Sequence, residues 1–176
     1  MSNELDHLRY PIGKWTRPDT FDFTKVSEQI TVIGNFPEKM KKETAELSDQ
    51  LFDTPYRNEG WTVRQVVHHC ADSHMNAFIR FKLALTENRP TIKPYDEGKW
   101  AELADAKLPV HVSLQLLEAL HVRWCMLMTF MNDEQWNAGF IHPEHGRELK
   151  LFQTVSLYAW HCEHHLGHVK IVTRGK

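Results

Sequence analysis

The sequence predicts an all-α domain built as a four-helix bundle, and three observations lead to this fold class. Four long stretches repeat apolar side chains at helical spacing, whereas strand-like patterning is confined to one short segment before the last stretch. No repeat, low-complexity segment or Gly/Ser-rich linker interrupts the 176 residues. Because a chain of this length can bury one sizeable core, we expect a single domain over residues 1–176.

The N-terminal part of the chain is predicted to be an arm followed by the first helix. Residues 1–22 contain two prolines and a glycine, which indicates an irregular arm packed against the rest of the domain. The first helix is expected over residues 25–47. Pro37 lies within it and removes a backbone donor, so we expect a bend there. A connection rich in turn-forming residues follows.

The second helix has the clearest start signal in the chain. Thr62 and Gln65 form a capping box, in which the threonine accepts from a first-turn amide and the glutamine reaches back to the cap. The helix is expected to begin at Thr62 and to reach Glu87, because the Asn-Arg-Pro sequence that follows ends it.

The second half of the chain supplies the other two helices. Residues 89–100, RPTIKPYDEGKW, are predicted to form a long ordered loop. Four side chains of this loop suit a lid over a pocket, although for each of them we favour a connector pinned by prolines: Lys93, Tyr95, Asp96 and Trp100. The third helix is expected over 112–131 and the last over 153–172, after a short hairpin with its turn at His145-Gly146. Two of the interhelical connections are long enough to permit a non-meander topology, which the pattern leaves open.

Composition excludes several functional classes. Lys and Arg number 21 against 23 Asp and Glu, and no long run of one sign occurs, so nothing indicates binding to nucleic acid or to an anionic membrane surface. No apolar run approaches the ~20 residues that span a bilayer, and the N-terminus lacks the apolar core of a signal peptide. We therefore expect a cytoplasmic protein. Its cysteines, Cys70, Cys125 and Cys162, are far apart and are expected to be reduced, mostly buried thiols.

Four of the twelve histidines lie within nine residues of the last helix, in WHCEHHLGH, residues 160–168. A helical projection places His161 and His165 on one flank, His168 further from the core direction, and His164 opposite the core. His164 is therefore expected in solvent. Because His161 and His165 are four residues apart, they can offer two imidazoles to one metal ion.

A third ligand has to come from another helix, and the second helix carries a histidine cluster of its own. His69 shares its flank with polar residues that could line a pocket, so we favour it over His68. His74 falls within the apolar stripe and is predicted to be a buried histidine bonded to a neighbour. Two alternatives remain open. The pair His164 and His168 has the same spacing, and such a pair also arises by chance in a histidine-rich chain.

With these residues in view, the chain resembles the DinB superfamily, and closely its YfiT branch, whose members are named metal-dependent hydrolases and are related to bacillithiol S-transferases. The resemblance rests on three segments that together span nearly the whole chain: YPIGK, GWTVRQVVHHCADSHMNAFIRFKLALTENRPTIKPYDEGKW and LYAWHCEHHLGHV. It implies a DinB-type four-helix bundle, often dimeric, that holds one divalent ion through three histidines. The family pattern places the first ligand eight residues after the tryptophan that opens the second helix, which carries from Trp61 to His69. Its HxxxH pair matches His161 and His165.

Three neutral imidazoles leave a divalent ion its full charge and at least one open position, which is typical of a catalytic site. Such an ion activates water for hydrolysis or holds a thiol for transfer to an electrophile, and of the two we favour thiol transfer. Zinc is the expected metal, with nickel as the alternative. The prediction is thus a metal-dependent hydrolase or thiol S-transferase that acts on a small molecule, with a low-molecular-weight thiol as candidate co-substrate. No general acid or base is assigned, a homodimer is implied by the resemblance alone, and a non-catalytic metal-binding or stress-related interaction module is the alternative.

Overall fold

A computed structural model describes residues 2–144 and 146–175, so Met1, His145 and Lys176 lie outside the description. The helices are α1 Ser2–Arg9, α2 Phe23–Thr44, α3 Asp49–Phe52, α4 Val63–Thr86, α5 Glu97–Trp100, α6 His111–Thr129, α7 Asp133–Asn137 and α8 Leu151–Arg174. A 3₁₀-helix covers Ala104–Lys107, and β1 Gly139–His142 pairs with β2 Arg147–Lys150 in one antiparallel hairpin. The predicted fold class, a four-helix bundle with a short hairpin before the last helix, is confirmed.

The four long helices adopt a non-meander order. Helices α2 and α4 each pack against both α6 and α8, so the consecutive helices α2 and α4 face each other across the diagonal of the bundle. Helices α2 and α8 run parallel, because Lys39 contacts Glu163 and Glu43 contacts Thr173. Helices α4 and α6 also run parallel, since His68 contacts Ser113 and His74 contacts His121, whereas α4 and α8 are antiparallel, since His69 contacts His165 and His74 contacts His161. The four helices therefore run up, down, down, up. The connection from α4 to α6 therefore has to cross the length of the bundle.

Helix boundaries agree with the patterns that predicted them to within a few residues. Helix α4 begins at the capping box, where the Gln65 amide donates to Thr62 Oγ1 at 3.2 Å and the Thr62 amide donates to Gln65 Oε1 at 3.0 Å. Helix α2 ends at Thr44 rather than at residue 47, and it continues through Pro37. Helices α6 and α8 cover 111–129 and 151–174, close to the predicted ranges.

The N-terminal arm was predicted to be irregular throughout, and this prediction is wrong for residues 2–9, which form α1. The Leu, Glu and Arg residues there are good helix formers, a signal that the prolines further along obscured. Beyond α1 the arm is irregular and lies along α8, where Trp15 Nε1 donates to Ser156 Oγ at 3.2 Å. A Cβ atom on Gly167 would lie only 2.7 Å from Pro11 Cγ, so the arm contacts the helix backbone directly.

The loop over residues 89–100 is ordered, as predicted. It contains α5 and is held against β1, because the Ile92 amide donates to the Ile141 carbonyl at 3.1 Å and the Ile141 amide donates to the Pro90 carbonyl at 2.9 Å. The predicted hairpin turn includes His145, which lies outside the described residues, and Gly146, whose φ of +60° suits glycine.

The core between the helices is apolar at its centre and rich in histidine on one side. Its largest fully buried side chains include Trp124, Phe36, Phe81 and Leu117. Among the described residues, seven histidines are also buried: His68, His69, His74, His121, His164, His165 and His168. All three cysteines are free, and two of them are buried, as expected. Among the described residues, no helix is both long and apolar enough to cross a membrane.

Candidate metal centre

Helices α4 and α8 bring His69, His161 and His165 together at one point. A ligand nitrogen from each residue lies within 4.8 Å of the other two. The Nε2 atoms of His69 and His161 are 3.3 Å apart. Two nitrogens bound tetrahedrally to one ion at ~2.0–2.1 Å are separated by about 3.3–3.4 Å. The three predicted residues are therefore arranged so that they fit a divalent transition-metal ion.

Burial prepares these imidazoles for metal binding. It lowers the pKa of His69 to about 4 and holds the pKa values of His161 and His165 well below the usual value, with a smaller contribution from the neighbouring histidines. All three rings are consequently neutral at pH 7 and carry the lone pairs that a metal ligand needs. Trp61 packs on His69 with ring centroids 4.6 Å apart and covers one side of the site.

Each histidine of the α8 pair contacts a further histidine through its second ring nitrogen. His161 Nδ1 lies 3.1 Å from Nε2 of His74, and His165 Nδ1 lies 3.3 Å from Nδ1 of His168. His74 is fully buried, and its Nδ1 lies 2.8 Å from His121 Nε2, so the structure agrees with the prediction of a core histidine bonded to a neighbour. The sequence offers His168 as the partner of His164 in the competing pair or as a neighbour of the site, and in the structure it contacts a candidate ligand.

His68 faces away from this cluster. Its ring nitrogens lie 2.7 Å from Ser113 Oγ and 2.9 Å from the Leu108 carbonyl, both on the side of α6. The helical projection, which favoured His69 over His68, therefore selected the histidine that reaches α8.

The prediction that His164 is solvent-exposed is wrong. The residue is 7% exposed, stacks on Trp160 with ring centroids 4.3 Å apart, and has its ring centroid 6.0 Å from that of Tyr10 in the arm. The helical projection correctly placed His164 away from the bundle core. It could not show that the arm covers that face.

The competing ligand set is also compact, because ligand atoms of His164, His165 and His168 lie within 4.8 Å of one another. All three residues belong to α8, so this set would not link two helices. The Nε2 atom of His168 lies 3.1 Å from the Arg9 carbonyl, which requires that nitrogen to carry a proton. Only its Nδ1 is then free to accept.

An open cleft of about 350 Å³ borders the cluster at His161. Ser73 and Tyr158 line its inner end, and Ser73 Oγ is 3.4 Å from both His161 Nε2 and Tyr158 Oη. Burial raises the pKa of Tyr158, so the phenol keeps its proton, which it donates to the Ser73 backbone carbonyl at 3.3 Å. Tyr158 is not among the site residues predicted from the sequence, and only its position three residues before His161 could have indicated a role at the site.

Charged side chains of both signs line the outer part of the cleft: Arg17, Arg80, Arg147, Glu97, Glu144 and Glu148. Arg17 reaches it from the arm and is held there by Gln153 Oε1 at 2.9 Å. Burial raises the pKa of the Glu97 carboxyl, while Arg80 opposes that shift. Such a lining suits a polar small molecule. The arm contributes to it through a contact between residues far apart in sequence, which no local pattern could predict.

Two polar residues of α4 and two of the loop residues predicted to suit a lid contact neighbours within their own segments. Asn76 Nδ2 donates to the Asp72 carbonyl at 2.9 Å, and burial raises the pKa of Asp72 to about 6. In the loop, Tyr95 packs on Trp100 with centroids 4.3 Å apart, and Glu97 is the member that reaches the cleft.

Comparisons with known proteins show the family and the fold of this chain. The sequence profile of the DinB superfamily matches residues 36–169. A Bacillus cereus protein named "putative metal-dependent hydrolase" is 52% identical over 165 residues, which cover 94% of this chain and 95% of that protein. A Bacillus anthracis protein of the same name is 51% identical with the same coverage. The solved structure of YfiT from Bacillus subtilis, described as a probable metal-dependent hydrolase with an unusual four-helix bundle topology, superposes with a TM-score of 0.94 at 44% identity and covers 96% of this chain and 97% of that chain.

Proposed function

Because this chain belongs to the DinB superfamily, we propose that it is a metal-dependent enzyme in which His69, His161 and His165 hold one divalent ion beside the cleft. The observation that carries the proposal is the 3.3 Å separation of the His69 and His161 Nε2 atoms at the wall of an open cleft, with His165 completing the set. The names of the relatives, which include metal dependence and hydrolysis, support it. A site that faces a cleft favours an enzyme over a non-catalytic metal-binding or interaction module.

A divalent ion at this point would lower the pKa of bound water or of a thiol and so supply a nucleophile near neutral pH. The neutral imidazoles hold the ion without cancelling its charge. The Tyr158 phenol donates to the Ser73 carbonyl, and the Ser73 hydroxyl donates to Tyr158 Oη. Rotated toward the cleft beside His161, either hydroxyl would donate a hydrogen bond to an oxygen of the substrate on which negative charge develops. Trp61 covers His69 and limits the access of water on that side.

We propose zinc as the resident metal. The ligand set consists of three imidazoles, which zinc accepts in open catalytic sites. Nickel is the alternative, because imidazole suits it as well. Metal analysis of protein purified without an affinity tag distinguishes the two.

Alanine substitution tests the ligand assignment. His69→Ala, His161→Ala and His165→Ala should each lose bound zinc, measured by elemental analysis after dialysis. His164→Ala is the matched control, since it removes a buried histidine from the same helix and should keep the zinc. Full occupancy in all three ligand variants would overturn the assignment. Loss in the His164 and His165 variants alone would favour the competing set.

Hydrolysis and thiol transfer use the same site and differ in the second reactant. Hydrolysis is the reaction in the relatives' names. The arginines of the cleft favour thiol transfer as a second candidate, because Arg17 and Arg80 suit the carboxylates that low-molecular-weight thiols carry. Turnover of monochlorobimane with and without bacillithiol separates the two reactions. A rate that does not depend on the thiol would exclude the transferase.

A homodimer would use the outer face of α6. Val122 and Met126 on this face, and Phe130 at the C-terminal cap of the helix, recur every four residues and are 68%, 60% and 78% exposed. Such a stripe is typical of a helix face covered by another subunit. Met126→Glu should convert a dimer to a monomer in light scattering.

The three free thiols fit a reducing compartment, which supports the expected cytoplasmic location.

A further inference from the structure

Two chains of buried histidines connect the α8 ligands to backbone carbonyl groups. The deep relay runs from His161 through His74 and His121 to the Ile33 carbonyl, over distances of 3.1, 2.8 and 2.6 Å. The shallow relay runs from His165 through His168 to the Arg9 carbonyl, over 3.3 and 3.1 Å. Neither relay includes His69.

The Ile33 carbonyl sets the direction of every hydrogen bond in the deep relay. A carbonyl can only accept, so His121 Nδ1 must carry a proton, and in a neutral ring its Nε2 must then accept. His74 consequently donates from Nδ1 and accepts at Nε2. His161 has to donate from Nδ1, which leaves the lone pair on its Nε2, the atom that faces His69. The reverse order would place a ring lone pair 2.6 Å from the carbonyl oxygen.

The shallow relay follows the same logic. His168 Nε2 donates to the Arg9 carbonyl, so its Nδ1 accepts from Nδ1 of His165. The lone pair of His165 is therefore on Nε2. Both relays give the α8 ligands the same tautomer, with Nε2 available for the ion.

Both carbonyls are available because each lacks its helical partner. Within a helix, the Ile33 carbonyl would accept from the amide of residue 37, but Pro37 has no amide hydrogen. Arg9 is the last residue of α1, and the final carbonyls of a helix have no intrahelical donor. Pro37 and the end of α1 thus leave the Ile33 and Arg9 carbonyls free of backbone donors, so that histidines can bond to them.

We propose that His74, His121 and His168 are positioning residues that fix the tautomer of His161 and His165, and that Pro37 serves this purpose by freeing the Ile33 carbonyl. The inference rests on the proposed metal site. Partners of this kind, which hold the second nitrogen of a ligating histidine, typically contribute about 10- to 100-fold to metal affinity.

The test uses two readouts on the whole protein. Long-range ¹H–¹⁵N NMR of the metal-free protein reports which nitrogen of His161 carries the proton, and competition with a chromophoric chelator gives the Kd for zinc. We expect His161 to carry its proton on Nδ1 in the unsubstituted protein. In His121→Leu this preference should be lost, with Kd raised roughly 10- to 100-fold. The matched variant His121→Gln keeps a donor and an acceptor, so its Kd should stay within about threefold of the original.

Two results would overturn the proposal. One is a proton on Nε2 of His161 in the unsubstituted protein, and this result needs no variant to fold. The other is a folded His121→Leu variant, checked by circular dichroism, that binds zinc as tightly as the His121→Gln variant. A protein that binds no zinc at all would instead refute the proposed function, and the NMR result would still decide the tautomer.

Discussion

The two relays behind the metal pair differ in where they obtain their support. The deep relay lies wholly within the bundle, where His74 and His121 are at most 2% exposed and the accepting carbonyl belongs to α2. The shallow relay leaves the bundle after one histidine and ends on the arm. His168 is buried as well, but its cover is Tyr56 at 3.9 Å and the end of α1 rather than core helices.

This difference separates two ways of holding a ligand. The orientation of His161 is part of the core, so it should persist as long as the bundle is folded. The orientation of His165 depends on whether the arm is docked, because the arm supplies the final acceptor. The arm also brings Arg17 to the cleft, so its docking links metal binding to the shape of the substrate site.

The largest expected effect is a difference in how much stability the protein loses when each relay is broken. His74→Leu removes the ring between His161 and His121 and leaves a donor and an acceptor unpaired in the core, so we expect the free energy of unfolding to fall by about 3 kcal/mol. His168→Leu should lower it by only about 1 kcal/mol, since the arm can turn its carbonyl to water. Urea unfolding of the metal-free proteins measures both. Equal losses would contradict the distinction between a deep and a shallow relay.

The sequence predicted the bundle side of this comparison, and it predicted an arm packed on the domain without showing that the arm lies along α8. Helical periodicity reports which side chains face the other long helices, and it correctly separated His69 from His68 and placed His74 in the core. The error at His164 has the same origin, because periodicity carries no information about a segment that folds back over a helix.

Pro37 shows where local reasoning stopped. The loss of a backbone donor was evident from the sequence and predicted a bend. The consequence in the structure is a free carbonyl at Ile33, which binds His121, 88 residues away. No local pattern identifies that partner.

Likewise, the up-down-down-up order depends on how long connections cross the bundle, and their lengths permit several topologies.

The second prediction uses pH to single out the deep relay. Burial lowers the pKa of His121 to about 4 in the folded protein, against about 6.5 when the chain is unfolded. The unfolded chain therefore binds the extra proton first, and stability present above pH 6.5 is lost as pH falls toward 4. This residue alone should account for roughly 2–3 kcal/mol of that loss. His121→Gln should flatten the curve of unfolding free energy against pH, and curves that run parallel would refute the assignment.

A third test asks whether Pro37 lowers the stability of the protein while it leaves the Ile33 carbonyl free to accept from His121. Pro37→Ala restores an amide that competes with His121 for the Ile33 carbonyl. Because proline in a helix interior costs ~3 kcal/mol, and the buried ring loses some packing, the variant should be more stable by about 1–2 kcal/mol. Its Kd for zinc should nevertheless rise severalfold. Thermal unfolding and chelator competition on the same sample give both values. Gains in both stability and affinity would show that the proline has no part in the relay.

The smallest expected effect lies on the arm side and uses two helical glycines. A Cβ atom on Gly167 would lie 2.7 Å from Pro11 Cγ, so Gly167→Ala must displace the arm and with it the carbonyl that His168 contacts. On Gly34 the corresponding Cβ would lie 3.4 Å from Cys125 Sγ, which is an ordinary contact, so Gly34→Ala is the matched control. Alanine favours a helix by up to about 1 kcal/mol, and the control should gain close to that amount with unchanged zinc affinity.

Gly167→Ala should show no such gain, because undocking of the arm offsets the helical preference of alanine. Its Kd for zinc should rise by a small factor, since His165 loses the acceptor that fixes its tautomer while His161 keeps the deep relay. Chelator competition on both variants measures this difference. If Gly167→Ala gained stability and kept its zinc affinity as Gly34→Ala does, the arm would cover the site without supporting the ligand, and the deep relay alone would position the metal pair.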